Sequence, residues 1–418
     1  VKLGILLHLY QPPIQEESVF RKVTESCYIP LLKLIKNYKN HTFTLDVSLS
    51  LLEQLQHYGY SSWINDLKTL VVAERVELVG SAAYHPLLTK IDPAIAETEI
   101  ILNEFGLGYF LGMRQGFEGE PAVMLKNLKG FFPPELAISD AVTGLVSDLG
   151  YSWLVADVPA LGALAGNTEF PFTHYYRVSD FSAKVLIRDR ELSNMLAFKR
   201  TPSIEDVIDY IEGVEEKISS EYVGFVCLDG ETFGHHYQEG ISTLSLLIDY
   251  LNAKGSSILS ITELSRHMDG ITIDTLSEST WGDVEEDVVN ETTYKFWANK
   301  KDLINQKLWE LDNVLQKHAT NNLLINIDTS NMTELFSTKQ DNLKNTVALQ
   351  ILKCLHSDKF WWSSSAIVYP NMIINNKHFI SKFIEYVDSS LALLHATNNL
   401  IDINNEKKLL AEITDLLV

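Results

Sequence analysis

Two short segments far apart in the chain each carry a carboxylate just past an apolar run: Gly130-Phe-Phe-Pro-Pro-Glu135 and Phe225-Val-Cys-Leu-Asp229-Gly-Glu231-Thr-Phe-Gly-His-His236. If both runs are strands of one barrel, Glu135 and Asp229 face each other across a cleft. Two opposed carboxyls are the minimum equipment for cleaving a glycosidic bond, one attacking the sugar carbon and the other protonating the leaving oxygen. The attacking group must be ionised while the acid holds its proton, so their surroundings must push their pKa values apart. Following Phe-Val-Cys-Leu, Asp229 is expected in low-dielectric surroundings that favour its protonated form, with the charge of Glu135 adding to the effect.

Such groups need elements that bring them together. Apolar runs at 2–8, 42–48, 75–80, 130–132, 151–156, 183–188 and 222–228 alternate with helical patterns, which reads as repeated β-α units around a parallel sheet. A further strand is expected at 257–261; periodicity alone leaves a barrel and an open sheet as alternatives. Asp92-Pro93 sets proline at a first helical position, and Ser203-Ile-Glu-Asp206 has the form of a capping box. Every glycine lies at or before Gly282, and after Pro202 the only proline is Pro370. Glycine supplies the tight strand-to-helix turns of α/β units, so its disappearance marks a change of architecture. Segments 293–318, 341–356 and 375–397 show helical spacing, for example Ile380, Phe383, Ile384, Val387, Leu391 and Leu394. The expected division is residues 1–270 as an α/β catalytic unit and 271–418 as an α-helical unit contributing to the cleft.

In parallel α/β folds, functional side chains gather where strands end. His8-Leu-Tyr-Gln11-Pro-Pro13 closes the first run, and Glu77 to Leu88, which contains His85, overlaps the third. Glu135 follows the fourth, Asp157 the fifth, Arg188 to Asn194 the sixth and Asp229 the seventh. His8 and His85 read equally well as core histidines bonded to carbonyls, and Arg190 as an ion-pair partner or a sugar contact. His235-His236 beside Asp229 lacks a second His/Asp cluster on another strand, so no metal site is expected.

Composition narrows the partners. Lys and Arg number 34 against 55 Asp and Glu, a net charge of −21 that repels nucleic acid and anionic lipid but not a neutral glucan. No stretch approaches the length of a membrane span. Cys27, Cys227 and Cys354 lack metal-ligand spacing and are odd in number, which fits a reducing compartment, and a cytoplasmic location is expected. The sequence is silent on oligomeric state.

Taken together, these segments resemble the five-motif signature of glycoside hydrolase family 57. His8 to Pro12 is similar to the first motif, with Leu9 and Tyr10 separating the His from Gln11-Pro12; Glu77 to Leu88 is similar to the second; Gly130 to Glu135 to the third, with Phe132 where the family commonly has Trp. Asp229 to His236 resembles the fourth motif and Ser357-Asp358-Lys-Phe-Trp361-Trp362 the fifth. Arg188 to Phe198 and Trp281-Gly-Asp-Val-Glu-Glu-Asp287 resemble the amylase and amylopullulanase-like branch, with Asn194 where that branch usually has Asp. The resemblance implies an incomplete seven-stranded (β/α) barrel followed by a helical domain. It also implies a retaining reaction on an α-glucan or maltooligosaccharide, no cofactor and no required metal. It assigns Glu135 as nucleophile and Asp229 as general acid/base. Substrate contacts are expected from His8, Gln11, Glu77, His85, Phe132, Asp157, Arg190, Glu231, His235, Trp281, Asp358 and Trp361. Hydrolysis of α-1,4 bonds is the leading expectation. A 4-α-glucanotransferase or an amylopullulanase-type enzyme uses the same chemistry; more distant are a metal-dependent polysaccharide deacetylase or α-mannosidase, and a non-catalytic glucan-binding protein.

Overall fold

The computed structural model describes residues 1–112, 128–198, 203–320, 343–364, 376–398 and 401–417. Its centre is a set of short parallel strands whose side chains alternate between an outer layer of helices and a shared interior. The strands are β1 Lys2–Leu9, β2 Phe43–Val47, β3 Val76–Val79, β4 Gly130–Phe131, β5 Trp153–Ala156, β6 His174–Val178, β7 Lys184–Ile187, β8 Val223–Asp229, β9 Ile258–Leu259 and β10 Asp269–Ile273. Because helices cover the outside and the strands fill the inside, β1, β2, β5 and β8 are nearly continuous apolar runs.

Continuous parallel ladders join β3-β2-β1-β8 and β4-β5-β7. Two narrow joints connect them. At one, Gly80 N donates to Gly130 O (2.9 Å) and Phe132 N to Gly80 O (2.8 Å); at the other, Asp189 N donates to Phe225 O (2.8 Å). The order β8-β1-β2-β3-β4-β5-β7 is therefore that of an incomplete seven-stranded barrel, and among the described residues no ladder closes it. β6 runs antiparallel to β7, and β10 pairs with β6. Sequence periodicity passes over both, since β10 is mostly exposed and carries no apolar run.

The strand expected at 257–261 is only two residues long. It pairs with Leu3 and Gly4 of β1 and feeds the helical turn Ile261–Leu264, capped by Ser260. That turn plugs the barrel floor, packing Ile261 and Leu264 against Leu6, Val79, Trp153, Val155, Leu186, Phe225 and Cys227. Gly4 permits the approach: a Cβ there would lie 2.5 Å from Ile261 Cδ1.

The helix starts follow their cap residues: Asp92 accepts from Ala94 N ahead of Pro93–Phe110, and Ser203 from Asp206 N ahead of Ile204–Ile218. Position 270 falls inside β10, and beyond it the chain is carried mainly by the helices Leu303–His318, Leu343–Lys353, Asn376–Thr397 and Asn404–Leu417. Of the helical segments expected from sequence, positions 341, 342 and 375 lie outside the described residues, and 293–302 form turns. The late helices share one core, through Leu308, Leu311, Val347, Phe383 and Val387, with Ile95, Leu102 and Phe105 of the helix Pro93–Phe110. Within that core, Lys359 Nζ and Asp312 Oδ1 form a fully buried ion pair at 2.7 Å. Among the described residues no helix is long and apolar enough to cross a membrane.

Candidate active site

Strand alternation builds one end of the site. Inward positions on β8 run Phe225, Cys227, Asp229; register sets His8 of β1 beside Asp229 on one side and Asp46 of β2 on the other. His8 Nδ1 lies 2.6 Å from Asp46 Oδ2. Burial opposes a charged imidazole there, but Asp46, with the charges of Asp229 and Glu231, raises the His8 pKa to about 9. His8 is thus an imidazolium at neutral pH, held beside an exposed Asp229 carboxylate.

The opposite wall begins at β4. Pro133 and Pro134 lead into a tight turn in which Glu135 (φ 60°) and Leu136 (φ 47°) both adopt the left-handed conformation. That geometry costs roughly 1–2 kcal/mol for each non-glycine residue. Leu136 N bonding to Pro133 O, Ala137 N to Pro134 O and Trp281 N to Glu135 O hold it in place. Its effect is to aim the Glu135 carboxylate at two donors. Trp281 Nε1 donates to Oε2 (2.8 Å), and Ser357 Oγ donates to Oε1 (2.8 Å). Only 14% of the Glu135 side chain is exposed. Burial first, then the charge of Asp358 and that of Asp229, raise its pKa to about 7, against the lowering effect of its two donors.

This reverses one expectation. The apolar run before Asp229 does not bury it: Val226 and Leu228 face outward, Phe225 and Cys227 lie deeper, and the carboxylate emerges exposed at the strand end. Desolvation falls on Glu135 instead.

Around the two acids lies an aromatic wall. Phe132, His8, His85 and Tyr10 stack in succession, with ring centroids 4.5, 4.8 and 4.2 Å apart. Tyr10 OH donates to Asp358 (2.7 Å), which also bonds His356 Nδ1 (3.2 Å). Burial works against ionisation of Asp358, yet these partners hold it below the usual carboxylate range. Trp281 packs against Trp361 (5.5 Å), Trp297 (5.7 Å) and Phe198 (6.3 Å).

The other expected contacts are distributed differently. Gln11 and Glu231 meet in a buried cluster in which Gln11 Nε2 and Tyr28 OH both donate to Glu231 Oε1. Burial and the Asp229 charge raise the pKa of Glu231 to about 7. His235 is half-buried, and burial with the charges of His236 and Lys22 lowers it to about 4. Glu77 points into the barrel floor, one layer below the rim, and accepts from Thr44 Oγ1 (2.9 Å) and Thr262 N (3.2 Å). Asp157 is buried between two guanidinium groups, Arg188 (2.7 Å) and Arg190 (3.2 Å), while Arg190 also donates to the carbonyls of Trp281 and Asp283. Arg190 thereby fixes the loop that carries Trp281.

Asp46, Tyr10, Ser357 and Arg188 were not singled out from sequence. Asp46 had a usable signal, an acid at an inward position of a strand end; Tyr10, Ser357 and Arg188 sit inside segments already marked as a whole. Among the described residues no three His, Cys, Asp or Glu side chains gather as a metal site.

The family model described as Glycosyl hydrolase family 57 matches residues 6–274, well over half of the chain. The chain belongs to glycosyl hydrolase family 57. An alpha-amylase of Pyrococcus horikoshii is 23% identical over 229 residues, 54% of this chain and 33% of the relative. This family 57 chain thus spans about a third of the length of that curated relative. Among solved structures, a family 57 branching enzyme from Thermococcus kodakaraensis superposes with a TM-score of 0.66 at 15% identity, covering 99% of this chain and 94% of that one. A 4-alpha-glucanotransferase from Thermococcus litoralis gives 0.62 at 14% identity, covering 92% and 59%. At such identities these likenesses speak to the fold, and they agree with a barrel followed by helices.

Proposed function

We propose that this chain is a retaining glycoside hydrolase acting on α-glucans, cleaving α-1,4 bonds with Glu135 as nucleophile and Asp229 as general acid/base. The observation that carries the reading is the Glu135 carboxylate itself. It is buried, bonded through both oxygens, strained into position, and close enough to Asp229 to feel its charge. In the proposed reaction Glu135 attacks the anomeric carbon while Asp229 protonates the departing oxygen. Asp229 then takes a proton from the incoming water as the glycosyl ester breaks, which retains configuration. Asp229 stands exposed at the end of β8, beside His8. The ring stack of Phe132, His8, His85 and Tyr10, and the cluster of Trp281 and Trp361, offer the flat apolar faces that sugar rings require. Amylase names among the relatives support the hydrolytic form of the reaction.

The test is turnover of maltoheptaose by wild type, Glu135→Gln and Asp229→Asn, with circular dichroism to verify folding. Both variants are expected to lose orders of magnitude in kcat, and azide is expected to restore turnover to Glu135→Ala as a glycosyl azide. A wild-type rate in either carboxylate variant would refute its role. Products longer than maltoheptaose as the main outcome would replace hydrolysis by transfer.

A further inference from the structure

We propose that Ser357 is a positioning residue: its hydroxyl, clamped between His85 and Glu135, aims the Glu135 carboxylate for attack. The inference rests on Glu135 being the nucleophile. Ser357 Oγ lies 2.8 Å from Glu135 Oε1 and 3.0 Å from His85 Nδ1, while His85 Nδ1 and Glu135 Oε1 are 3.8 Å apart, beyond hydrogen-bond reach. The serine therefore bridges a gap that the histidine cannot span. A second tie, Ser357 N to His85 O at 2.9 Å, fixes the serine backbone to the same residue.

The direction of each proton follows from partners. An ionised Glu135 accepts only, so the serine hydroxyl must donate to it, and the serine oxygen then accepts from His85. His85 is buried, and burial together with the His8 charge keeps it neutral. It has one ring proton to assign. Nε2 finds no partner among the described residues, whereas Nδ1 faces Ser357 Oγ, so the proton belongs on Nδ1. The relay His85 Nδ1–H to Ser357 Oγ–H to Glu135 Oε1 is oriented throughout, and it works only while Glu135 is a carboxylate. His85 holds its ring in line through a left-handed backbone (φ 62°) and through stacking on His8 and Tyr10.

The relay crosses from the second motif of the barrel to the helical region, so it couples two parts of the chain at the reacting atom. Without the hydroxyl, Oε1 keeps no donor within hydrogen-bond range among the described residues, and Trp281 alone supports the charge on Oε2.

The experiment compares the pH profile of kcat/KM for the full chain with those of Ser357→Ala and Ser357→Cys, using maltoheptaose, alongside Glu135→Gln. The expected result for alanine is an acid limb displaced upward by about one unit, a tenfold weaker ionisation of Glu135, with the deficit shrinking above the limb. Cysteine, nearly the same size and a weak donor, is expected to fall between alanine and wild type. A serine needed only for packing would lower the rate evenly at all pH values and leave the limb in place, which would overturn the proposal. If Glu135→Gln is inactive and the Ser357→Ala limb is unmoved, this inference fails alone; if Glu135→Gln is active, the nucleophile assignment fails with it.

Discussion

Replacing Trp281 by Phe keeps a ring in the cluster with Trp297 and Trp361 but deletes the indole N–H that donates to Glu135 Oε2 at 2.8 Å. A hydrogen bond to a charged group contributes roughly 1.5–3 kcal/mol, and one pKa unit corresponds to about 1.36 kcal/mol. Most of that contribution favours the ionised form, because a protonated carboxyl accepts a weaker bond. The Glu135 pKa, already raised to about 7 by burial and by Asp358 and Asp229, should therefore rise by about a further 1–2 units. The sign is fixed: if Glu135 is the nucleophile, as proposed, a higher carboxyl pKa demands a higher pH before it is ionised. Wild-type kcat/KM should fall on the acid side near pH 7, and the variant's limb should lie at about 8–9. Well below both limbs the variant should then be about 10–100-fold slower than wild type, and the gap should close as pH rises. The assay is kcat/KM on maltoheptaose across the pH range, which reports the free enzyme. A variant slowed equally at every pH, or one whose limb moves down, would mean that the indole does not stabilise the carboxylate.

Three further outcomes follow from the geometry. Asp358→Asn removes a like charge that raises Glu135, so its acid limb should move down even if substrate binding suffers; a limb that moves up would contradict the electrostatic account. Lys359→Met strands the buried Asp312 carboxylate and should cost roughly 3–5 kcal/mol in urea unfolding, whereas adding Asp312→Leu should recover much of it; equal stability of the single variant and wild type would discount the pair. Gly130→Ala would bring a methyl group to 2.1 Å from Trp153 Cζ2 at the strand that delivers Glu135, so it should lower stability by roughly 1–3 kcal/mol and depress kcat together; a fully stable and active variant would show that β4 yields more easily than its packing suggests.

The barrel was legible because its seven parallel strands are covered on both faces and so leave long apolar runs. β6 and β10 lie outside that ring and bury too little to leave one. Strand-end acids were legible for the same reason, as polar breaks at the close of apolar runs. Their surroundings were not. Asp157 and Asp229 look alike in sequence, yet one is enclosed by Arg188 and Arg190 and the other is exposed. Only the meeting of distant segments distinguishes them. Glu77 shows how one step of alternation matters, since its level on β3 sends it to the floor and not the rim. The left-handed turn at Glu135 was also hidden: the two prolines announce a rigid approach, but the conformation of the residues after them is set by tertiary bonds to Ser279, Trp281 and Ser357.

The family match ends at residue 274, yet the side chains that donate to Glu135 belong to positions 281 and 357. A fragment trimmed to the matched region would retain both acids and lose the atoms that tune one of them. The hydrogen-bonding environment of the Glu135 carboxylate is thus divided along the chain. On the proposed roles of the two acids, amino-acid changes at positions 281 and 357, beyond the matched region, would reset the acidity at which Glu135 ionises, a means of adjusting working pH without altering either acid.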